Sequence, residues 1–223
     1  MWRILNDPDF VVWSTLGWVV HMTYLATVYA VDDDPLVLLL LQKIFAATKL
    51  NVETYISGIE FLERYSPANP GCILIDMMMP GMSGLQLQET LTARNNYTPI
   101  IFLSGAAKVQ LAVEALKAGA EDFLEKPIVR DDLLQRVEKA MQLDLENRYL
   151  RLQKANTELK FGLLTPRETE VVKWLVRGNS NKAIARILGI SSRTIEVHRQ
   201  RIIDKMEARS VVELAEMISA IQK

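Results

Sequence analysis

Five polar positions in the 223-residue sequence fall where they could act together. They are Asp32-Asp33, Asp76, Ser104 and Lys126, and each ends or follows an apolar run. Asp76 closes the stretch CILID at 72–76. A carboxylate there is costly to bury unless it is paired or bound to a cation. Gathered carboxylates repel one another, so either they take up protons or a cation sits among them. Mg²⁺ prefers carboxylate oxygens, keeps several waters and recruits phosphate oxygens. On this reading Asp33 and Asp76 are direct ligands, the Met78 carbonyl is a candidate backbone ligand, and Asp32 binds directly or through water. A carboxylate held this way is a nucleophile toward a phosphoryl donor, giving an acyl phosphate. The Lys126 ammonium, with Mg²⁺, neutralises charge on the phosphoryl oxygens. The Ser104 hydroxyl can hydrogen-bond one of them. Taken singly, each residue has an ordinary reading: a helix cap, a turn residue, a strand-end hydroxyl, a solvated lysine. The ordered set is what carries the argument. The Lys126–Pro127 bond is a candidate for the cis form.

The elements that would position this set follow from periodicity and breaker residues. Thr27–Val31 reads as a strand, and Asp32-Asp33-Asp34-Pro35 opens a helix over Leu36–Thr48, with proline in the first turn. The first helix is apolar on most faces, and its extra leucines suggest a partner surface. Further strands are expected at Asn51–Ile56, Cys72–Ile75, Pro99–Ser104 and Asp122–Glu125. Helices are expected at Gly58–Tyr65, Leu85–Asn95, Val109–Lys117 and Asp131–Gln142. Strands alternating with helices imply a parallel sheet with right-handed crossovers and helices on both faces. Such sheets bind ligands outside the carboxyl ends of their strands. All five polar positions lie there.

Beyond this half, residues 144–161 contain neither proline nor glycine. Leu145, Tyr149, Leu152, Asn156 and Leu159 follow a 4-3-4-3 spacing, a coiled-coil seam with one polar core position. It reads either as a linker helix packed on its own domain or as a dimerising rod. Thr165-Pro166-Arg167-Glu168 is a capping box with proline at the first helical position. Helices follow over Glu168–Arg177, Lys182–Leu188 capped by Asn181, and from Ser191 to Met206, with Gly189 at the turn. This is helix-turn-helix spacing. Ile184, Ala185, Leu188, Ile190, Ile195 and Ile202 make its buried side. Arg193, Glu196, Val197 and Gln200 share one face of the last helix, suited to the DNA major groove. Lys182, Thr194, Arg199, Arg201 and Lys205 are candidates for phosphate contacts. His198 suits a packing or phosphate-contact role better than metal binding, because the other histidine, His21, is far away in sequence.

Charge supports the division. Residues 28–144 carry 16 acidic and 10 basic side chains, whereas residues 145–223 carry 9 acidic and 15 basic. An acidic half joined to a basic half suggests two domains, the second facing a polyanion. Cys72 is the single cysteine, which excludes a disulfide framework within one chain and fits a reducing, cytoplasmic location. The apolar run Phe10–Val20 is too short for a membrane helix, and no membrane association is expected. Residues 1–26 read as an N-terminal extension, either disordered or lying upstream of a start at Met22.

The first half resembles the receiver domain of bacterial two-component response regulators. The residues that carry the likeness are VDDDP at 31–35, IDMMMPGMSG at 75–84, FLSG at 102–105 and KAGAEDFLEKP at 117–127. The resemblance implies phosphorylation of Asp76 by a partner histidine kinase, with Ser104 and Phe123 as a switch pair. Ala106-Ala107-Lys108 departs from the usual run, and Met78 replaces a residue that is often polar. A thioether cannot orient an attacking water, so a long-lived acyl phosphate is expected. LTPRETEVVKWLVRG at 164–178 and NKAIARILGISSRTIEVHRQRIIDKM at 181–206 resemble the LuxR-type helix-turn-helix domain, in the order of the FixJ subgroup. The expected organisation is an α/β receiver at 27–143 with a flavodoxin-like five-stranded parallel sheet, a helical linker at 144–161, and an all-α DNA-binding domain at 162–223. The resemblance implies a phosphorylation-dependent transcription regulator rather than an enzyme. It would dimerise on phosphorylation, bind two DNA half-sites and work with RNA polymerase. Two other readings are a constitutive DNA-binding regulator with a non-signalling receiver, and a Mg²⁺-dependent phosphohydrolase. The latter lacks a second acid within Met77–Met79.

Overall fold

The structure is a computed structural model of the chain and describes residues 11–13, 19–21, 26–66, 69–105 and 109–221. It falls into two compact units, Met1–Arg148 and Tyr149–Lys223. Of the N-terminal segment it describes one antiparallel pair, Val11–Trp13 with Val19–His21. The remaining expectations for residues 1–25, and those for Ala106, Ala107 and Lys108, lie outside the described residues. Among the described residues, no helix is long and apolar enough to cross a membrane.

Five strands make the sheet of the first unit: β1 (Thr27–Val31), β2 (Asn51–Tyr55), β3 (Gly71–Asp76), β4 (Ile100–Ser104) and β5 (Asp122–Glu125). All pairings are parallel, in the order β2-β1-β3-β4-β5. The order reverses between β1 and β3, which opens a crevice at the ends of those two strands. The three central strands, β1, β3 and β4, are buried at every residue because both faces are covered, whereas the edge strands β2 and β5 keep exposed polar positions. Val28, Ala30, Cys72, Leu74, Ile101 and Leu103 pack on α1 (Pro35–Phe45) and the first half of α5 (Arg130–Gly162). Their neighbours Tyr29, Val31, Ile73, Ile75, Ile100 and Phe102 point to the other face, with Phe61 of α2 (Gly58–Arg64), Leu87 and Leu91 of α3 (Gly84–Ala93), and Ala115 of α4 (Val109–Lys117). Each fully buried aliphatic or aromatic side chain here contributes about 1.5–3 kcal/mol.

Three differences from the expected elements have physical causes. β3 extends through Asp76, because the Met77 amide continues the ladder to the Leu103 carbonyl. The last helix of the first unit and the expected linker are one 33-residue helix, α5. No helix breaker interrupts it, and Asp144 at the expected border is fully buried, accepting from the Gly71 amide at 3.0 Å and Arg148 Nε at 2.7 Å. In the second unit, Ser180 rather than Asn181 caps α7 (Asn181–Leu188), its hydroxyl oxygen accepting from the Ala183 amide. The apolar outer face of α1 is present: Leu36, Leu39 and Leu40 are all exposed.

The second unit contains the end of α5, α6 (Pro166–Leu175), α7, α8 (Ser192–Met206) and α9 (Val211–Ile221). Its core holds Val171, Val172, Leu175, Ile184, Ala185, Ile195, Ile202 and Leu214, with Leu188 and Ile190 partly buried against it. Gly189, at φ 65, takes the left-handed conformation that lets α7 stop and the chain turn into α8.

Candidate functional site

Asp76, the buried last residue of β3, is held from two sides. Its Oδ1 accepts from Lys126 Nζ at 2.6 Å, and its Oδ2 accepts from the Met78 amide at 2.7 Å. Asp32, the residue after β1, is also buried. Its Oδ2 accepts from the same Lys126 Nζ at 2.7 Å, and its Oδ1 from the Asp34 amide at 2.9 Å. Lys126 reaches both because it directly follows β5, where its own amide donates to the Ser104 carbonyl at 2.7 Å. The Lys126–Pro127 peptide is cis. Ser104 ends β4 and is buried, while Phe123 sits half-buried on β5, opposite Phe102 in register. A cavity of about 390 Å³ has Asp32, Asp33, Asp76, Met78, Ser104 and Lys126 among its lining residues. The structure thus brings the whole expected constellation to one mouth, with Phe123 one strand away from it.

Burial pushes the Asp32 carboxyl above the usual carboxylate range, against the pull of Lys126 and the Asp34 amide. Burial works the opposite way on Lys126, but its bonds to Asp32 and Asp76 prevail and hold it above the usual lysine value, so it is an ammonium. Two carboxylates share one ammonium, with Asp33 exposed beside them on the same cavity. The donor set is hard oxygen with excess negative charge, which fits Mg²⁺. Among the described residues no three acidic, imidazole or thiol side chains converge on one point. This is an open site that would lean on backbone oxygen and water, as Mg²⁺ sites do, rather than a closed protein cage.

Sequence reasoning missed one positioning residue. Gly84 reads as a turn signal, yet a Cβ at this position would stand 2.5 Å from the Asp76 carbonyl oxygen and 2.9 Å from the Phe102 ring. Only glycine lets α3 begin so close to the strand that ends in Asp76. A glycine three residues into the turn after Pro80-Gly81 gave no signal that separates packing from turn chemistry.

On α8, Arg193, Glu196, Val197 and Gln200 are exposed on one face, with Gln200 Nε2 donating to Asp204 at 2.8 Å. Lys182, Arg199 and Arg201 are exposed, and Thr194 is exposed within the Ser191 cap. His198 is half-buried, its Nδ1 buried and without a hydrogen-bond partner. Lys205 differs from expectation. Its Nζ donates to Glu168 Oε2 at 2.7 Å and to the Leu163 carbonyl at 3.1 Å, so it is engaged inside the domain instead of facing phosphate. Glu168 is the buried member of the Thr165 capping box. Burial pushes its carboxyl up, but Lys205 and the Thr165 groups outweigh burial and hold it at about 2.

The chain is therefore a doubly wound α/β module with an acid–lysine mouth, joined to a helix-turn-helix module. Residues 28–138 match the response regulator receiver domain family, and residues 162–218 match the bacterial regulatory proteins of the luxR family. The chain is 38% identical to the transcriptional regulatory protein TdiR of Thauera aromatica, over 86% of this chain and 85% of that protein. It is also 38% identical to the transcriptional regulatory protein FixJ of Azorhizobium caulinodans, over 85% of this chain and 90% of that protein. Among solved structures, the response regulator StyR superposes with a TM-score of 0.78 at 40% identity, covering 87% of this chain and 98% of that one. The chain belongs to the FixJ- and TodT-like response regulators, which join a receiver domain to a LuxR-type DNA-binding domain, and it is a transcription regulator.

Proposed function

We propose that Asp76 takes a phosphoryl group from a partner histidine kinase and that this controls DNA binding by the second module. The observation that carries the reading is the bond from Lys126 Nζ to Asp76 Oδ1, at 2.6 Å, inside a cavity shared with Asp32. An Asp76 carboxylate oxygen attacks phosphorus, the bond from phosphorus to the kinase imidazole breaks, and the imidazole leaves with the electron pair. The product is an acyl phosphate on Asp76. Mg²⁺, held by Asp32, Asp33, Asp76 and the Met78 carbonyl, would supply charge neutralisation to the phosphoryl oxygens. Lys126 transfers its ammonium from the carboxylates to a phosphoryl oxygen. The Ser104 hydroxyl donates to another, and Phe123 repacks behind it, changing the face built by α4, β5 and α5.

In the second module Arg193 suits guanine, Glu196 accepts from cytosine, and Val197 touches a thymine methyl, with Gln200 beside them. Lys182, Thr194, Arg199 and Arg201 contact phosphate. Two phosphorylated copies pair on two half-sites and present the complex to RNA polymerase. The test is phosphoryl incorporation from a labelled small-molecule donor with Mg²⁺, followed by footprinting. The wild-type chain should take up label and change its footprint, and Asp76→Asn should do neither. Equal footprints and equal promoter response in Asp76→Asn would overturn the proposal in favour of a constitutive regulator.

A further inference from the structure

The last part of α5 belongs to the second unit, and one of its faces is left uncovered. Phe161 turns into the core of that unit. Tyr149, Leu152, Asn156 and Leu159 do not: all four are exposed, Leu152 at 63% and Leu159 at 74%. Their spacing places Tyr149 and Asn156 at a positions and Leu152 and Leu159 at d positions of a heptad. Leu163, also exposed, falls at the next a position just past the helix end. A single asparagine at an a position, between leucines at d, fixes register and strand number at a cost in stability. That cost has a purpose only if the partner is another helix presenting the same asparagine at the same level.

We infer that residues 149–163 pair in parallel with the same segment of a second copy of this chain when two copies occupy adjoining DNA half-sites. The inference rests on the proposed pairing of two copies on DNA but not on phosphoryl transfer at Asp76. Three observations support a second copy. The flanking e and g positions are Gln153, Ala155, Lys160 and Gly162, and the one charge among them, Lys160, is paired with Glu207 at 2.8 Å. No like-charge repulsion therefore opposes close approach. A seam of two heptads is marginal between free copies. The seam must then form only between copies already held together, where tethering supplies an effective concentration of about millimolar.

The third observation ties the seam to DNA reading. Lys205, near the end of α8, holds the Leu163 carbonyl at 3.1 Å, and Glu207 at the C-cap of α8 holds Lys160. The recognition helix is thus bolted to the last turn of the seam helix. A parallel pair would orient two copies of α8 about one two-fold axis, as symmetric half-sites require.

The test uses the full chain on two DNA fragments, one carrying two half-sites mapped by footprinting and one carrying a single half-site. Leu152→Cys should form an inter-chain disulfide on the two-site fragment under mild oxidation, whereas Leu150→Cys, at an outer b position, should not. Leu152→Asp with Leu159→Asp should weaken two-site binding about tenfold or more while leaving single-site binding unchanged. The unchanged single-site affinity reports an intact fold. Equal cross-linking at positions 150 and 152, or full two-site affinity in the double variant, would overturn the seam. Should the Asp76→Asn chain still cross-link through Leu152→Cys, the seam stands and the phosphorylation reading is what fails.

Discussion

Lys126 and Asp76 are bonded across the mouth of the sheet, Nζ to Oδ1 at 2.6 Å, and the same ammonium stands 2.7 Å from Asp32. A phosphoryl group arriving on Asp76 must take over this ammonium. Lys126→Met leaves the two buried carboxylates without the ammonium they share. The initial rate of phosphoryl uptake from a small donor is expected to fall about 100-fold, the usual effect of removing one preorganised electrostatic partner. An unchanged rate would show that the bond is structural only.

Met78 lies on the same cavity and is 69% exposed, so under the proposed function it borders the path of a water attacking the acyl phosphate. Its thioether offers no strong hydrogen bond to that water. The wild-type acyl phosphate should therefore persist for minutes or longer. Met78→Asn is expected to shorten its lifetime about tenfold, less than full general-base catalysis provides. The measurement is release of labelled phosphate from the isolated phosphoprotein, and loss within seconds from the wild-type chain would contradict the argument.

Gly84→Ala is expected to cost about 1–3 kcal/mol, the range for overpacking a filled interior. The added methyl would press on the Asp76 carbonyl oxygen and the Phe102 ring. A lower melting temperature should come with slower phosphoryl uptake, because the displaced atoms belong to β3 and β4, the strands that end in Asp76 and Ser104. Thermal unfolding and label uptake on the same preparation check this pairing.

Much of this site was legible from residue types because carboxylates, a hydroxyl and a lysine at successive strand ends have few joint explanations. The parallel sheet follows from strands alternating with helices, and the opposition of Val28, Ala30 to Tyr29, Val31 follows from strand geometry, whereas the strand order is seen only in the structure. Gly84 and Lys205 were not legible. The role of Gly84 depends on how close α3 comes to β3, and that of Lys205 on a carbonyl 42 positions earlier in the chain. Neither distance leaves a trace in local pattern. The continuity of α5 across residue 143 was not legible for a related reason. Asp144 looks like a solvated linker charge until its partner, the Gly71 amide, is known.

Glu168 gives the second unit an acid limit. Its carboxyl is held at about 2, below the ordinary value of 4.5, so the unfolded chain takes up the proton first as pH falls. The stabilisation is complete above the ordinary value and is lost between there and about pH 2. Glu168→Gln should flatten the dependence of the second unit's melting temperature in that window. At neutral pH it should cost about 2 kcal/mol, as expected for hydrogen bonds to a charged group. A parallel shift at every pH would contradict the assignment.

The exposed cations of the second unit should separate by salt dependence. Arg201→Ala removes a proposed phosphate contact and should lower the slope of log affinity against log salt by about 0.9 while sparing sequence preference. Arg193→Ala should relax discrimination at one base position by about 1–3 kcal/mol. Lys205→Met should instead destabilise the domain, because it strands the buried Glu168 carboxylate. Affinity titrations at several salt concentrations, beside melting curves, distinguish the three.

Strand β3 is anchored at both extremities. Its first amide, on Gly71, is gripped by Asp144 of α5, and its final side chain is Asp76. All six residues of the strand are in ladder contact with β1 or β4, which leaves no slack. A shift of the backbone at the acidic mouth would thus be felt at the opposite rim of the sheet, where α5 is fastened. The Gly71 amide proton is a built-in gauge of that strain.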